Sequence, residues 1–254
     1  IFDALVSRDL LDMAPPPAER LRAGQRGGRA GADQEMVNRL MIDRARRGLP
    51  VVRLKGGDPT LFGRGGEEAE ALRRARVPFE IVPGVTAALG AAARAGSPLT
   101  HRRYASTGAF ATGHLDPKRQ DGGPDWEALA RSGTLVLYMG VRRLAGIVRR
   151  LLAAGMDGAT PVAVVRWATL PEQTIVEGTL GTIAARARAA RLEPPALLIA
   201  GQVVRLRRRL DWYGRLPLRG RTIVVTRPRD QAAPFVETLR EQGARVLLAP
   251  AIAL

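Results

Sequence analysis

The stretch from Val51 to Glu68, VVRLKGGDPTLFGRGGEE, decides the fold. A short β-branched run, Val51 to Leu54, feeds directly into a turn carrying Gly56, Gly57, Asp58 and Pro59, and a second glycine cluster at Gly63, Gly65 and Gly66 precedes the helix-forming EEAEAL. Strand, loop and helix in immediate succession are the opening of an α/β unit. Glycines without a Cβ let a ligand come close to the backbone, and in open α/β sheets ligands sit beyond the carboxyl ends of strands. A binding loop is therefore the first expectation. It is not a phosphate loop, because neither G-x-G-x-x-G nor a P-loop pattern with its lysine is present.

Working outward, the alternation continues in both directions. Upstream, Asp33 to Arg47 places Met36, Val37, Leu40 and Met41 at helical spacing behind a cap-competent Asp33, whereas Ala14 to Ala32, rich in Pro, Gly and Arg, predicts loop with at most one short strand. Downstream, Glu67 to Arg76 predicts a helix, Pro78 to Val82 (PFEIV) a strand, and PGVT at 83–86 leads into an alanine-rich helix over Ala87 to Ala95. Strand alternating with helix at this spacing indicates a mostly parallel first sheet. Ser97 to Arg103 reads as loop and Gly108 to Thr112 as strand. A second block has strands at Thr134 to Met139, Pro161 to Arg166, Gln173 to Thr179 and Ala196 to Ala200, with helices at Trp126 to Arg131, Val141 to Ala154 and Leu180 to Ala190. Val203 to Leu210 (VVRLRRRL) is expected to prolong the last strand.

These periods give an α/β chain with an N-terminal half over 1–115, the polar Asp116 to Pro124 loop as boundary, a C-terminal half over 116–210, a linker over 211–218, and a further α/β start over 219–254. The opening IFD reads as mid-strand, and one βαβ unit after Arg219 cannot bury its own faces. The chain is therefore expected to begin and end inside longer elements.

Composition narrows the function classes. The chain has 254 residues, no cysteine and a formal net charge of +16, and all of its 40 basic residues except Lys55 and Lys118 are arginine. Without cysteine there are no disulfides or thiolate metal sites, and His101 and His114 alone do not make a zinc site, so no metal is expected. No apolar run approaches the roughly 20 residues that span a bilayer, and no secretory signal is recognisable at the start, which leaves the cytoplasm as the default. The charge suits polyanions, either nucleic acid or a small polycarboxylate. Aromatic residues are only 4% and do not interleave with the arginine runs, which argues against a nucleic-acid stacking platform.

Several segments, in order, resemble the uroporphyrinogen-III C-methyltransferases of the tetrapyrrole methyltransferase family. They are RLKGGDPTLFGRGGEEAEAL from Arg53, VPFEIVPGVTAALGAAARAGSPLTHR from Val77, TGH from Thr112, LVLYMG from Leu135, TPVAVVRWAT from Thr160 and PALLIAGQVV from Pro195. The tail from Arg219, with VVTRPRDQA, resembles the start of a uroporphyrinogen-III synthase, a fusion partner in that pathway. The resemblance implies a two-domain architecture with a mostly parallel first sheet and a mixed second sheet, plus an incomplete third α/β unit. It also implies a cytoplasmic homodimeric enzyme that uses S-adenosylmethionine to methylate uroporphyrinogen III twice, giving precorrin-2 for sirohaem and cobalamin. The cofactor would lie between the halves against Gly56, Gly57 and Asp58, with Leu61 and Phe62 as walls, Thr86 and Ala87 at the methionine end, and Met139 and Ala168 on the adenosine side. Asp3 matches the family's proton acceptor. Arginine forks pair bidentately with carboxylates, of which this substrate carries many, so Arg26, Arg53, Arg64 and Arg102 are candidate substrate partners.

Two departures stand out. The family's first strand and glycine-proline loop would precede Ile1, and Gln25 stands where the family has its proton-donating lysine. Glutamine does not ionise and is left to hydrogen-bond the substrate, whereas displacement at a methyl group does not require acid catalysis. The alternative function is a catalytically incomplete copy that binds tetrapyrrole or supports a fused synthase without turnover.

Overall fold

The computed structural model describes residues 1–23, 32–113 and 123–251, in two compact units, Ile1–Ala87 and Ala88–Leu254. In the first unit the chain opens on an extended segment, pinned on both sides. Phe2 N–H donates to Leu21 O at 2.9 Å and Asp3 N–H to Leu54 O at 3.1 Å, while Leu54 N–H returns to Ile1 O at 2.8 Å. Phe2 thus bridges Arg22 and Leu54, both in the parallel sense. The expected parallel direction holds, but in single bridges rather than a full sheet. Helices α1 (Arg8–Asp12), α2 (Ala32–Arg46) and α3 (Gly65–Arg74) complete the unit. A small core of Ala23, Val37 and Met41, joined by Ile1, Val51 and Leu72, holds α2 and α3 against the extended segments.

Pro78 to Val82, expected as a strand, joins no ladder among the described residues. Pro78 and Pro83 bracket it and supply no N–H to a neighbour, and Phe79, Ile81 and Val82 remain 43%, 46% and 71% exposed.

The second unit is built on a five-stranded sheet of β1 (Gly108–Thr112), β2 (Thr134–Tyr138), β3 (Pro161–Arg166), β4 (Thr174–Thr179) and β5 (Ala196–Gly201), in the order β1-β2-β5-β3-β4. β1 pairs with β2 in parallel and the other neighbours are antiparallel, so the sheet is mixed as expected. Alternate residues on one face, Leu135 and Leu137, Val162 and Val164, Leu198 and Ala200, pack on two helices. The first, α6 (Leu144–Ala153), offers Leu144, Ile147, Val148 and Leu151 at helical spacing. The second, α7 (Leu180–Ala189), offers Leu180, Ile183 and Ala187. Between β1 and β2 the short α5 (Trp126–Ala130) is capped by Asp125, whose carboxylate accepts Ala128 N–H at 2.9 Å.

Helix α4 (Ala87–Ala95) buries Ala88, Ala91, Ala92 and Ala95 along one stripe. Its last carbonyls are capped from this unit: Ala93 O by Trp212 Nε1 at 3.0 Å, Arg94 O by Gln173 Nε2 at 3.4 Å and Ala95 O by Arg207 Nη1 at 3.0 Å. A cation at a helix C-terminus also suits the macrodipole. Those caps tie α4 to the second unit, which begins at Ala88.

One further expectation changes here. Val203 to Leu210 is not a strand: after Gly201, at φ 141, the chain forms a 3-10 turn over Gln202–Leu206 and then α8 (Arg207–Leu210). A Cβ on Gly201 would stand 2.6 Å from Gly133 O, so only glycine turns the chain there. The 211–218 linker is also well anchored. Arg94 lies over the rings of Trp212 and Tyr213 at 5.0 and 4.6 Å, and Arg219 covers Tyr213 at 4.7 Å. The tail then forms β6 (Thr222–Val225), α9 (Arg229–Glu241) and β7 (Arg245–Leu248), a parallel βαβ with its own core of Val225, Ala232 and Val236.

Candidate functional site

In the first unit, the loop after Lys55 and the segment before α4 meet backbone to backbone. An ideal Cβ on Gly84 would stand 2.3 Å from Gly57 O, and one on Gly57 would lie 3.5 Å from Ala87 N and 3.6 Å from Thr86 Cα. Gly57 itself sits at φ 78, where a side chain is strained. Asp58 ties the arrangement together. Its Oδ2 accepts Gly84 N–H at 2.9 Å, and its Oδ1 accepts Thr60 N–H at 2.8 Å as well as the Thr60 hydroxyl. The Thr60 hydroxyl, then the N–H groups of Gly84 and Thr60, hold the Asp58 carboxyl below the usual carboxylate range. The structure thus brings Gly57 and Asp58 against Gly84, Thr86 and Ala87, with Gly56, Leu61 and Phe62 on the same loop. Asp58 serves the loop directly.

In the second unit, β1, β2 and β3 run in the same direction, so their carboxyl ends share one edge of the sheet. Met139 follows β2 and Ala168 follows β3, with β5 between, which sets the two about 10 Å apart across the sheet. Gly113, after β1, touches Gly140: a Cβ on it would meet Gly140 Cα at 2.5 Å. An open cavity of ≈ 350 Å³, lined by Val141, Arg142, Leu192, Glu193 and Pro194, lies beyond this edge. Tyr138 hydroxyl accepts the N–H of Ala88, in the first turn of α4, at 3.1 Å. Tyr138→Phe is expected to lower unfolding stability by about 1–3 kcal/mol, measured by denaturant titration, because it strips a buried helix-start donor of its partner.

Backbone strain marks the same places. Among the described residues, Phe62, Arg64, Met139, Trp167 and Thr169 have φ of 55, 58, 54, 50 and 73°. The remaining non-glycine cases, Arg76 and Arg191, simply follow the ends of α3 and α7. Left-handed conformations cost about 1–3 kcal/mol each and persist where the surroundings over-determine them, commonly at ligand sites.

Asp3 sits in an ion-pair network rather than alone. Its Oδ1 takes Arg53 Nη2 at 2.5 Å, and Lys55 Nζ lies 3.7 Å from its Oδ2. Arg53 is engaged throughout, with Nε on Glu68 at 3.1 Å and Nη1 on Leu54 O at 3.3 Å. Arg64 is clamped by Glu67 at 2.7 and 3.0 Å, and that contact holds the Glu67 carboxyl below its usual range. Neither arginine is therefore an open carboxylate receptor. Arg102 differs: with His101, Arg103, Tyr104, Leu206 and Arg209 it lines a cavity of ≈ 450 Å³. His101 Nδ1 accepts Arg103 N–H at 3.2 Å and so shapes that loop. Gln25, Arg26 and His114 lie outside the described residues.

The residues that sequence reasoning missed are Gly84, Lys55, Glu68 and Tyr138. For Gly84 the signal was available, since glycine after proline ahead of a helix marks a backbone with special demands. No group of His, Cys, Asp and Glu suited to a metal occurs among the described residues. In the first unit the loop offers exposed backbone at Gly56 and Gly57 and apolar surface from Phe62 and Val85. Such a set fits a ligand with an apolar ring system and a polar amino-acid end. No helix among the described residues is long and apolar enough to cross a membrane.

The family model for tetrapyrrole (corrin/porphyrin) methylases matches residues 1–184. Siroheme synthase 1 of Cronobacter sakazakii is 49% identical over 215 residues, 84% of this chain and 45% of its own length. Siroheme synthase of Nitrosomonas eutropha is 46% identical over 214 residues, 84% of this chain and 44% of its own length. The chain thus spans less than half the length of these relatives. Among solved structures, uroporphyrin-III C-methyl transferase from Thermus thermophilus complexed with S-adenyl homocysteine superposes with a TM-score of 0.66 at 41% identity, covering 81% of this chain and 86% of that one. A cobalt precorrin-4 methyltransferase gives a TM-score of 0.69 at 30% identity, covering 80% and 83%.

Proposed function

This chain belongs to the tetrapyrrole (corrin/porphyrin) methylase family, and from that premise we propose that it transfers methyl groups from S-adenosylmethionine to uroporphyrinogen III, giving precorrin-2 for sirohaem and cobalamin. The observation that carries the proposal is the Asp58 tether, which fixes two glycine-rich backbones against each other and leaves Gly56 and Gly57 exposed. The siroheme synthases it resembles and the S-adenyl homocysteine complex of its structural neighbour support the reading.

When bound, the cofactor supplies an electrophilic methyl on a sulfonium that leaves as a neutral thioether. Everything else falls to the protein: holding the electron-rich substrate carbon in line with that methyl, excluding water and accepting the proton the methylated ring must lose. Gly56, Gly57, Thr86 and Ala87 offer backbone for the amino-acid end, with Leu61 and Phe62 beside them. Met139 and Ala168 are assigned to the adenosine. Asp3 is assigned as proton acceptor, since one of its oxygens is fixed by Arg53 while the side chain keeps 30% of its surface open.

Substrate carboxylates are assigned to Arg102, supported by Arg103 and Arg209 around the same cavity, and to Gln25 and Arg26. Arg53 and Arg64 instead organise acids of the chain itself. A homodimer, a cytoplasmic location and a fused synthase beginning near Arg219 belong to the same proposal. The last is supported by the parallel βαβ of β6, α9 and β7, in which VVTRPRDQA links β6 to α9.

The test is transfer of labelled methyl from S-adenosylmethionine to uroporphyrinogen III under reducing, anaerobic conditions. Dimethylated product is expected. Binding of the cofactor with no methylated tetrapyrrole, while a known family enzyme works alongside, would favour the non-catalytic alternative.

A further inference from the structure

The most deeply buried charges of the first unit converge on one side chain outside the loop's surface. Glu68, in the first turn of α3, is 4% exposed. It takes Lys55 Nζ on both oxygens at 2.9 Å, Arg53 Nε at 3.1 Å and Gln34 Nε2 at 3.0 Å. Lys55 and Arg53 are themselves 6% and 14% exposed. Buried ion pairs are poor sources of stability, because apolar replacements often do as well. Their geometry here suggests another use.

Lys55 immediately precedes Gly56, and Glu68 closes the turn that opens α3, so their contact clasps the glycine-rich loop at its neck. Lys55 Cε also lies 3.3 Å from where a Gly63 Cβ would stand. On its other side, the same carboxylate holds the Nε edge of Arg53, whose Nη2 reaches Asp3. Two cations and two carboxylates balance within the network.

We propose that Glu68 is a positioning residue that couples the methyl-donor loop to the proton acceptor, by clasping Lys55 at the loop's neck while aiming Arg53 at Asp3. The proposal rests on the methyl-transfer reading and on Asp3 as acceptor. Neutralising Glu68 opens the clasp and leaves both cations facing Asp3 alone, which draws that carboxylate out of line with the carbon it deprotonates.

The experiment compares the full chain, Glu68→Gln, and the charge-balanced Glu68→Gln/Lys55→Met. In Glu68→Gln, kcat at saturating substrates is expected to fall about a hundredfold, and S-adenosylhomocysteine affinity by calorimetry about tenfold. The double variant removes one cation for the anion lost, and its glutamine carbonyl still accepts from Arg53. It should recover most of kcat while the cofactor affinity stays low, a split that a merely structural role would not produce. Wild-type kcat and affinity in Glu68→Gln, or a double variant no faster than the single one, would overturn the coupling. If Glu68→Gln does not fold, the double variant carries the comparison, and wild-type cofactor affinity in it rules out the clasp. A wild-type chain that binds S-adenosylhomocysteine but methylates nothing contradicts the methyl-transfer reading instead, and the clasp is then decided by affinity alone.

Discussion

Gly84→Ala is expected to abolish useful binding of S-adenosylmethionine while leaving the five-stranded sheet of the second unit folded. The added Cβ would stand 2.3 Å from Gly57 O and 3.1 Å from Gly57 C. Backbone on both sides leaves no flexible side chain to yield, so the two loops must separate. Overpacking of this kind costs about 1–3 kcal/mol, and at its upper end that is about a hundredfold in affinity. Calorimetric titration with S-adenosylhomocysteine checks it, and circular dichroism shows whether the fold survives. Gly66→Ala serves as the control, since nothing lies within 4 Å of a Cβ at that position. It is expected to bind as wild type does.

Asp58→Ala should weaken the same binding by about tenfold or more, because the carboxylate that caps two backbone N–H groups is lost. Asp58→Asn keeps one acceptor and should fall between wild type and alanine. The pH dependence has a definite sign. The folded Asp58 carboxyl titrates below its ordinary value, because the Thr60 hydroxyl and then the Gly84 and Thr60 N–H groups stabilise the charged form. Its tether is therefore fully present above the ordinary carboxylate range and is lost as pH falls through the lower, folded value. Cofactor affinity should stay flat from neutral pH down into the carboxylate range and drop only below it. The Asn variant should lack that drop. A wild-type affinity that rises on acidification would contradict the assigned role.

Much of this was legible from the amino-acid pattern. Helix α4 and strand β3 lie where spacing put them, because an Ala stripe at 3 and 4 and a run of β-branched residues each have one good way to be buried. Asp58 stood out by lying between glycine and proline. VVRLRRRL misled, since two valines read as strand while the decisive feature was Gly201 just ahead of them. PFEIV misled for a different reason: β propensity is expressed only when a neighbour offers hydrogen bonds, and two prolines remove donors at its ends. Glu68 looked like one more acid in a helix-opening GEE. Its partners Gln34, Arg53 and Lys55 come from separate segments, so no local period announces that it is buried among cations.

The measurement closest to the central claim is a crystal structure of the chain with S-adenosylhomocysteine. The account predicts the ligand's amino-acid end on the backbone of Gly56, Gly57, Thr86 and Ala87, with the Asp58 tether to Thr60 and Gly84 intact. Ligand bound away from that loop, or an Asp58 carboxylate turned out of the tether to grip the ligand, would contradict it.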